Sequence, residues 1–215
     1  MIRWWARAAC VAVALLPPLH VFSQELRVGI REDLAFVDVL HEGRKVRIQR
    51  IQDVQHRLVD NWARTSRPCP PACLQPLVPA SGVQPVAELE TLDFLQQHVN
   101  AGTGMLIDAR PPELYRLETI PAALNVPASV LRAEQPRKDA VLQALGGRLH
   151  QGRWDFAGAA ELLLFCNGAW SDDSGRAVKA LVALGYPPGK LRYYRGGLHS
   201  WLSLGMTTVV PTRVP

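Results

Sequence analysis

Leu162-Leu163-Leu164-Phe165-Cys166-Asn167-Gly168-Ala169-Trp170-Ser171-Asp172-Asp173-Ser174-Gly175-Arg176-Ala177 joins an apolar run to a cysteine, a polar loop and the start of a new periodicity. From Ala177 to Leu184 the apolar residues recur at helical spacing, and Gly185 stops them. The spacing predicts strand, loop and helix, with Cys166 at the carboxyl end of the strand. In an open α/β sheet ligands bind just beyond that end, where loops converge and a following helix presents unpaired N–H groups. A thiol placed there is expected to have a lowered pKa, and the thiolate is the nucleophilic form of sulfur. The competing interpretation is that Cys166 is a small apolar filler at the end of a buried strand.

The same alternation of strands and helices extends to both sides. Upstream, Val86-Ala87-Glu88-Leu89 leads into an amphipathic helix over residues 91–99, stopped by Asn100 and Gly102. Met105-Leu106-Ile107 follows as a buried strand ending in Asp108-Ala109-Arg110, and residues 120–127 form a short strand bounded by prolines. Residues 136–149 carry a helical pattern broken by Gly146-Gly147, and a loop over residues 154–160 delivers the chain to the Cys166 strand. Downstream, Lys190 to Tyr194 is a strand, Arg195-Gly196-Gly197 a tight turn, and Leu198 to Leu204 a short helix ended by Gly205. This order predicts an open parallel sheet with helices on both faces. The strand ends at Asp108, Cys166 and Arg195 should then open on one edge.

Residues 24–80 form an N-terminal extension of different character, and residues 81–212 are assigned to the α/β domain. In the extension, residues 34–39 and 45–51 alternate apolar and polar side chains across a turn containing Glu42-Gly43, the pattern of a β-hairpin. A proline-rich loop follows, Arg67-Pro68-Cys69-Pro70-Pro71-Ala72-Cys73, in which regular structure is disfavoured. Cys69 and Cys73 are expected to form a local disulfide. No histidine lies at ligand spacing from them, so a metal site is not expected.

Residues 1–23 read as a signal peptide: Arg3 and Arg7 precede an apolar run, Ala8 to Leu16, with a cut expected before Gln24. The run is too short for a permanent bilayer span, so an exported protein, periplasmic or secreted, is expected. The chain carries 24 basic and 19 acidic residues; losing Arg3 and Arg7 leaves 22 against 19, a net charge of +3. Such a weak, dispersed charge argues against nucleic acid as a partner. Processing also removes Cys10, leaving Cys69, Cys73 and Cys166, an odd count that either leaves one thiol over or makes the pairing dynamic.

Taken together, residues 84–210 resemble the rhodanese-like domain family. The motifs that carry the resemblance are Asp108-Ala109-Arg110, Tyr115, Ile120-Pro121, Ala123, Asn125, Pro127, the strand-end Cys166, Gly185-Tyr186, Gly196-Gly197, Trp201 and Gly205. The resemblance implies a sulfurtransferase without a cofactor. Cys166 would take a sulfane sulfur as a persulfide and pass it to a thiophilic acceptor, while backbone N–H groups from Asn167 through Ser174 (Asn167, Gly168, Ala169, Trp170, Ser171, Asp172, Asp173, Ser174) would cradle the persulfide or an incoming anion.

Several positions depart from the family pattern. Glu118-Thr119 stands where Gly-His is usual, a change expected to affect a turn rather than chemistry. The loop after Cys166 is about two residues longer than the common six-residue loop; it has no closing arginine, and Asp172 and Asp173 occupy it instead. These acids, with Ser174, narrow the choice of anionic donor, cap the following helix and complement its dipole, or do both. Asp108 and Arg110 form either a structural ion pair or a source of positive potential near substrate. Trp170 is expected in the pocket wall, and Arg195 is a further substrate-contact candidate.

The expected partners are a small sulfur donor and a thiophilic acceptor, with room for a protein partner. The alternative to a turning-over enzyme is a catalytically weak sulfur-carrier or protein-binding module on the same fold; a thiol-disulfide redox protein ranks behind both.

Overall fold

The structure, a computed structural model, describes residues 27–134 and 136–212. The proposed signal peptide, residues 1–23, lies outside the described residues. Five strands form a parallel sheet: β3 (Gln84–Val86), β4 (Gly104–Asp108), β5 (Ala123–Asn125), β8 (Glu161–Phe165) and β9 (Leu191–Tyr194), in the order β3-β9-β8-β4-β5. The helices between them are α1 (Glu88–Phe94), α2 (Pro112–Tyr115), α3 (Arg137–Ala144), α4 (Asp173–Ala183) and α5 (Gly197–Ser203). Helix α1 runs on through a wider turn at Leu95–Val99, so the helix expected over residues 91–99 begins three residues earlier and changes pitch.

Strand β8 is buried on both faces, which is why its sequence is a continuous apolar run. Leu162 and Leu164 point into one core with Ile107, Leu191 and Tyr193, covered by Leu142 of α3 and Ala177, Val178 and Leu181 of α4. Leu163 and Phe165 point into the opposite core with Leu106 and Tyr194, covered by Leu92 and Phe94 of α1 and Leu198 and Trp201 of α5. Helices therefore cover both faces, as the alternating elements predict.

The extension contributes to the second core. Strands β1 (Phe36–His41) and β2 (Arg44–Gln49) pair antiparallel as the expected hairpin, with Val39 opposite Val46. The period-2 pattern places Val37, Val39 and Ile48 inward, where they pack with Leu95, Ile120, Trp201 and Met206. The turn needs left-handed backbone at two successive residues, Glu42 (φ 50°) and Gly43 (φ 79°), the geometry that matches strand twist in a two-residue hairpin.

Two short elements differ from expectation. Helix α3 ends at Ala144, and residues expected to be helix and loop instead make a small hairpin, β6 (Arg148–His150) with β7 (Arg153–Asp155). Gly146, at φ 89°, turns the chain out of the helix there. Strands this short carry too few alternations to be distinguished from loop.

Because β8 is fully enclosed, Leu163→Ala is expected to lower the unfolding free energy by about 2–5 kcal/mol. Urea denaturation followed by circular dichroism checks this; a loss below 1 kcal/mol would contradict the placement of Leu163 in a packed core.

Candidate active site

Register fixes the geometry of the sheet's carboxyl edge. Asp108 pairs with Phe165, and Phe165 pairs with Tyr194, so β4, β8 and β9 end level. The next residues, Ala109, Cys166 and Arg195, leave the sheet side by side, as expected for the three strand ends.

The base of the Cys166 loop is held by α5. Leu198 N–H donates to the Cys166 carbonyl at 2.9 Å, and His199 N–H to the Asn167 carbonyl at 2.8 Å. Gly197 adopts φ 57°, and a Cβ there would overlap the Cys166 carbonyl oxygen. Only glycine allows this approach.

Cys166 is a free thiol with no solvent exposure. Ser174 Oγ donates to its Sγ at 2.8 Å, and the thiol itself points at the Ser171 carbonyl at 3.3 Å. Tyr193, behind the same loop, stays protonated: burial pushes its hydroxyl up to about 12, and the neighbouring Cys166 adds to the effect. The lowered pKa expected for Cys166 is not found. Burial pushes the thiol up, and hydrogen bonds from Ser171, Ser174 and the backbone at Ser174 and Gly168 only partly oppose it. A strand-end position before a helix favours thiolate, but complete desolvation outweighs it.

The loop after Cys166 is not the lengthened one expected: α4 starts at Asp173, so only the six residues Asn167–Asp172 lie between the cysteine and the helix, and Asp173 and Ser174 stand in its first turn. Both acidic residues are turned toward neighbours in the chain. Asp173 accepts from Arg176 at 2.6 Å and from Ser171 Oγ at 3.1 Å; Asp172 lies 3.3 Å from Arg176. Asp172 is the residue preceding α4, but its side chain makes no capping bond. Of the expected capping, side-chain caps by Asp172 and Ser174 are not found, since the Ser174 hydroxyl donates to sulfur, while Asp173 does sit in the first turn of α4, where it complements the helix dipole. Arg176 draws both carboxylates along the helix.

Asp108 and Arg110 are brought together as a buried pair. Arg110 NH2 lies 2.6 Å from Asp108 Oδ2, and its Nε approaches both carboxylate oxygens. Thr119 Oγ1 donates to Asp108 at 2.8 Å, and Arg110 NH2 also reaches the Glu118 carbonyl at 2.6 Å. With these partners the charges satisfy each other, and the pair fixes the turn after β4. Arg195 Nε donates to the Gln75 carbonyl at 2.6 Å, so this guanidinium holds the extension. Trp170 lines a cavity of about 200 Å³ with Asn61, Trp62, Arg110, Leu114, Leu117, Glu118 and Asn167. A larger cavity of about 660 Å³ lies away from the loop, between the β1–β2 hairpin, β5 and α3.

Cys69 and Cys73 form the expected disulfide, with Cα atoms 4.6 Å apart. The segment around it reaches the Cys166 loop: Gln75 N–H donates to the Ala169 carbonyl at 2.8 Å, and the Arg67 guanidinium stacks 4.1 Å from the Trp170 ring. Trp62, Arg67 and Gln75 were not among the expected site residues. The one local signal was Trp62, a large aromatic in an otherwise polar stretch.

The geometry defines a parallel α/β protein with, among the described residues, a single free thiol in the loop between a central strand and its helix. The family model of the rhodanese-like domain matches residues 91–204, and the chain belongs to that family. Among solved structures it is similar to a rhodanese with anions from E. coli, at 23% identity and TM-score 0.34, covering 50% of this chain and 99% of that one. It is similar also to the human single-domain sulfurtransferase TSTD1, at 24% identity and TM-score 0.39, covering 57% and 96%. A protein of unknown function from Rhodopseudomonas palustris, described as a possible tyrosine phosphatase, matches at 18% identity and TM-score 0.43, covering 59% and 85%. No curated protein matches the chain.

Because burial raises the Cys166 pKa, its alkylation rate should keep rising with pH beyond the ordinary thiol range of about 8.5. Ser174→Ala should move that profile further up and slow alkylation at neutral pH by roughly tenfold, the scale of one hydroxyl donor to a charged acceptor. Iodoacetamide labelling followed by peptide mapping reads both; a profile unchanged by Ser174→Ala would show that the hydroxyl does not act on the sulfur.

Proposed function

We propose that this protein is an exported sulfurtransferase that carries a sulfane sulfur on Cys166. The observation that carries the proposal is the free Cys166 thiol at the carboxyl end of β8, in the loop before α4, with the Ser174 hydroxyl donating to its sulfur. The sulfurtransferase-type fold of the family supports it. Export is proposed from the basic and apolar pattern of residues 1–23, and a structural disulfide is at home in an oxidising compartment.

In the first step the Cys166 thiolate attacks the outer sulfur of a donor such as thiosulfate. A new sulfur–sulfur bond forms at Cys166, the donor's own bond breaks, and sulfite leaves with the electron pair. In the second step a thiophilic acceptor attacks the terminal sulfur of the persulfide and regenerates the thiolate. Neither step needs a cofactor. Ser174 Oγ and the backbone at Ser174 and Gly168 favour the anionic sulfur in both. Asp108 and Arg110 hold the turn beside the loop, and Asn167 and Trp170 form the wall that an arriving donor meets.

A second possibility, a sulfur carrier that turns over poorly with small donors, is favoured by one observation: the unmodified sulfur is completely buried and its thiol form is stabilised. Cys166→Ser decides whether Cys166 carries the transfer. The variant should melt within about 1 kcal/mol of the parent and lose cyanide-dependent turnover of thiosulfate, because serine keeps the volume but lacks an ionisable sulfur. Full turnover by the variant would contradict the proposal.

A further inference from the structure

The extension does more than complete the second core. After the hairpin it returns across the carboxyl edge of the sheet as a strap over residues 59–80, fixed to the domain at successive points. Trp62 Nε1 donates to Glu118 Oε1 at 2.9 Å, and His199 Nε2 meets the Trp62 carbonyl at 3.1 Å. Arg67 binds Asn61 through its side-chain and backbone oxygens, at 2.9 and 2.6 Å, while its guanidinium covers the Trp170 ring. His199 also packs edge-on against Trp170, with ring centroids 4.7 Å apart. Gln75 is gripped on both sides, by the Ala169 carbonyl and by Arg195. Beyond it Pro79 is buried beside the start of α4, where a Cβ on Gly175 would lie 3.9 Å from it.

Two consequences follow for anything approaching Cys166. The sulfur is enclosed by its own loop, so a reagent reaches it only when that loop shifts, and the strap holds the loop at Ala169 and Trp170. The open volume beside the loop is about 200 Å³, with Asn61 and Trp62 of the strap as part of its wall. That is below the roughly 300–1,000 Å³ of sites that enclose drug-sized ligands. It suits an inorganic sulfur anion or the tip of a small persulfide.

We infer that the strap determines specificity by size: Trp62 and Arg67 restrict the Cys166 loop to small sulfur donors and acceptors and exclude bulky ones. The inference rests on the proposal that Cys166 is the reacting group. Glu118, which stands where the family pattern has a smaller residue, acts as the domain's anchor for Trp62. Arg67 acts through Trp170 as a positioning residue and does not touch the sulfur.

The test compares rates of Cys166 modification by iodoacetamide and by fluorescein maleimide, read by peptide mapping on the full chain with the Cys69–Cys73 disulfide intact. The proteins are the parent, Arg67→Ala and Trp62→Ala. Arg67→Ala should raise the maleimide rate about tenfold relative to the iodoacetamide rate, the scale of a partly shielded cation–π contact, and Trp62→Ala should raise the same ratio. Amide hydrogen exchange should show β8 protected as in the parent, so that the change reports the strap rather than the fold. An unchanged ratio of the two rates in both variants, or a parallel rise in both rates, would overturn the inference. Alkylation requires no sulfur transfer. A changed ratio in a protein that takes no sulfur from thiosulfate would leave the size filter standing and remove the proposed activity.

Discussion

The level ends of β4, β8 and β9 are the constraint on which the site depends. Parallel pairing of Asp108 with Phe165 and of Phe165 with Tyr194 delivers three loops to one edge, and the Cys166 loop is the central one. Two contacts keep that edge from fraying. The buried Asp108–Arg110 pair, with Thr119, fixes the turn after β4, and the close approach of Gly197 to the Cys166 carbonyl fixes α5 beneath the loop. Breaking either partner of the ion pair would leave an uncompensated buried charge, which is far more costly than the pair itself is stabilising.

On this frame the chemistry of the thiol is a contest between burial and hydrogen bonding. Burial wins, so the closed structure holds a protonated sulfur. Asp172 and Asp173 both pair with Arg176 along α4, away from the sulfur, which is met by Ser174 and the backbone.

Much of the fold was legible because it rests on local patterns. The apolar run before Cys166, the helical spacing after Ser174 and the alternation in residues 34–51 each state a period, and each forms the expected element. The spacing of Cys69 and Cys73 in a proline-stiffened loop was enough for the disulfide. What was not legible depends on long-range packing. Residues 59–80 have no period, so nothing in their order announces that Gln75 will bond to Ala169 or that Arg67 will stack on Trp170. Ser174 resembles a helix cap in sequence, and only the position of Sγ reveals a different acceptor. The direction of the Cys166 pKa likewise follows from burial, which one residue's neighbours in sequence do not disclose.

The central claim is that Cys166 stores one sulfane sulfur. The most direct measurement is the intact mass of the protein after incubation with thiosulfate or glutathione persulfide, before and after treatment with cyanide, with the modified peptide mapped. The account predicts a gain of one sulfur atom on the peptide containing Cys166, removed by cyanide. No gain with either donor, or a gain confined to the Cys69 and Cys73 peptide, would contradict it.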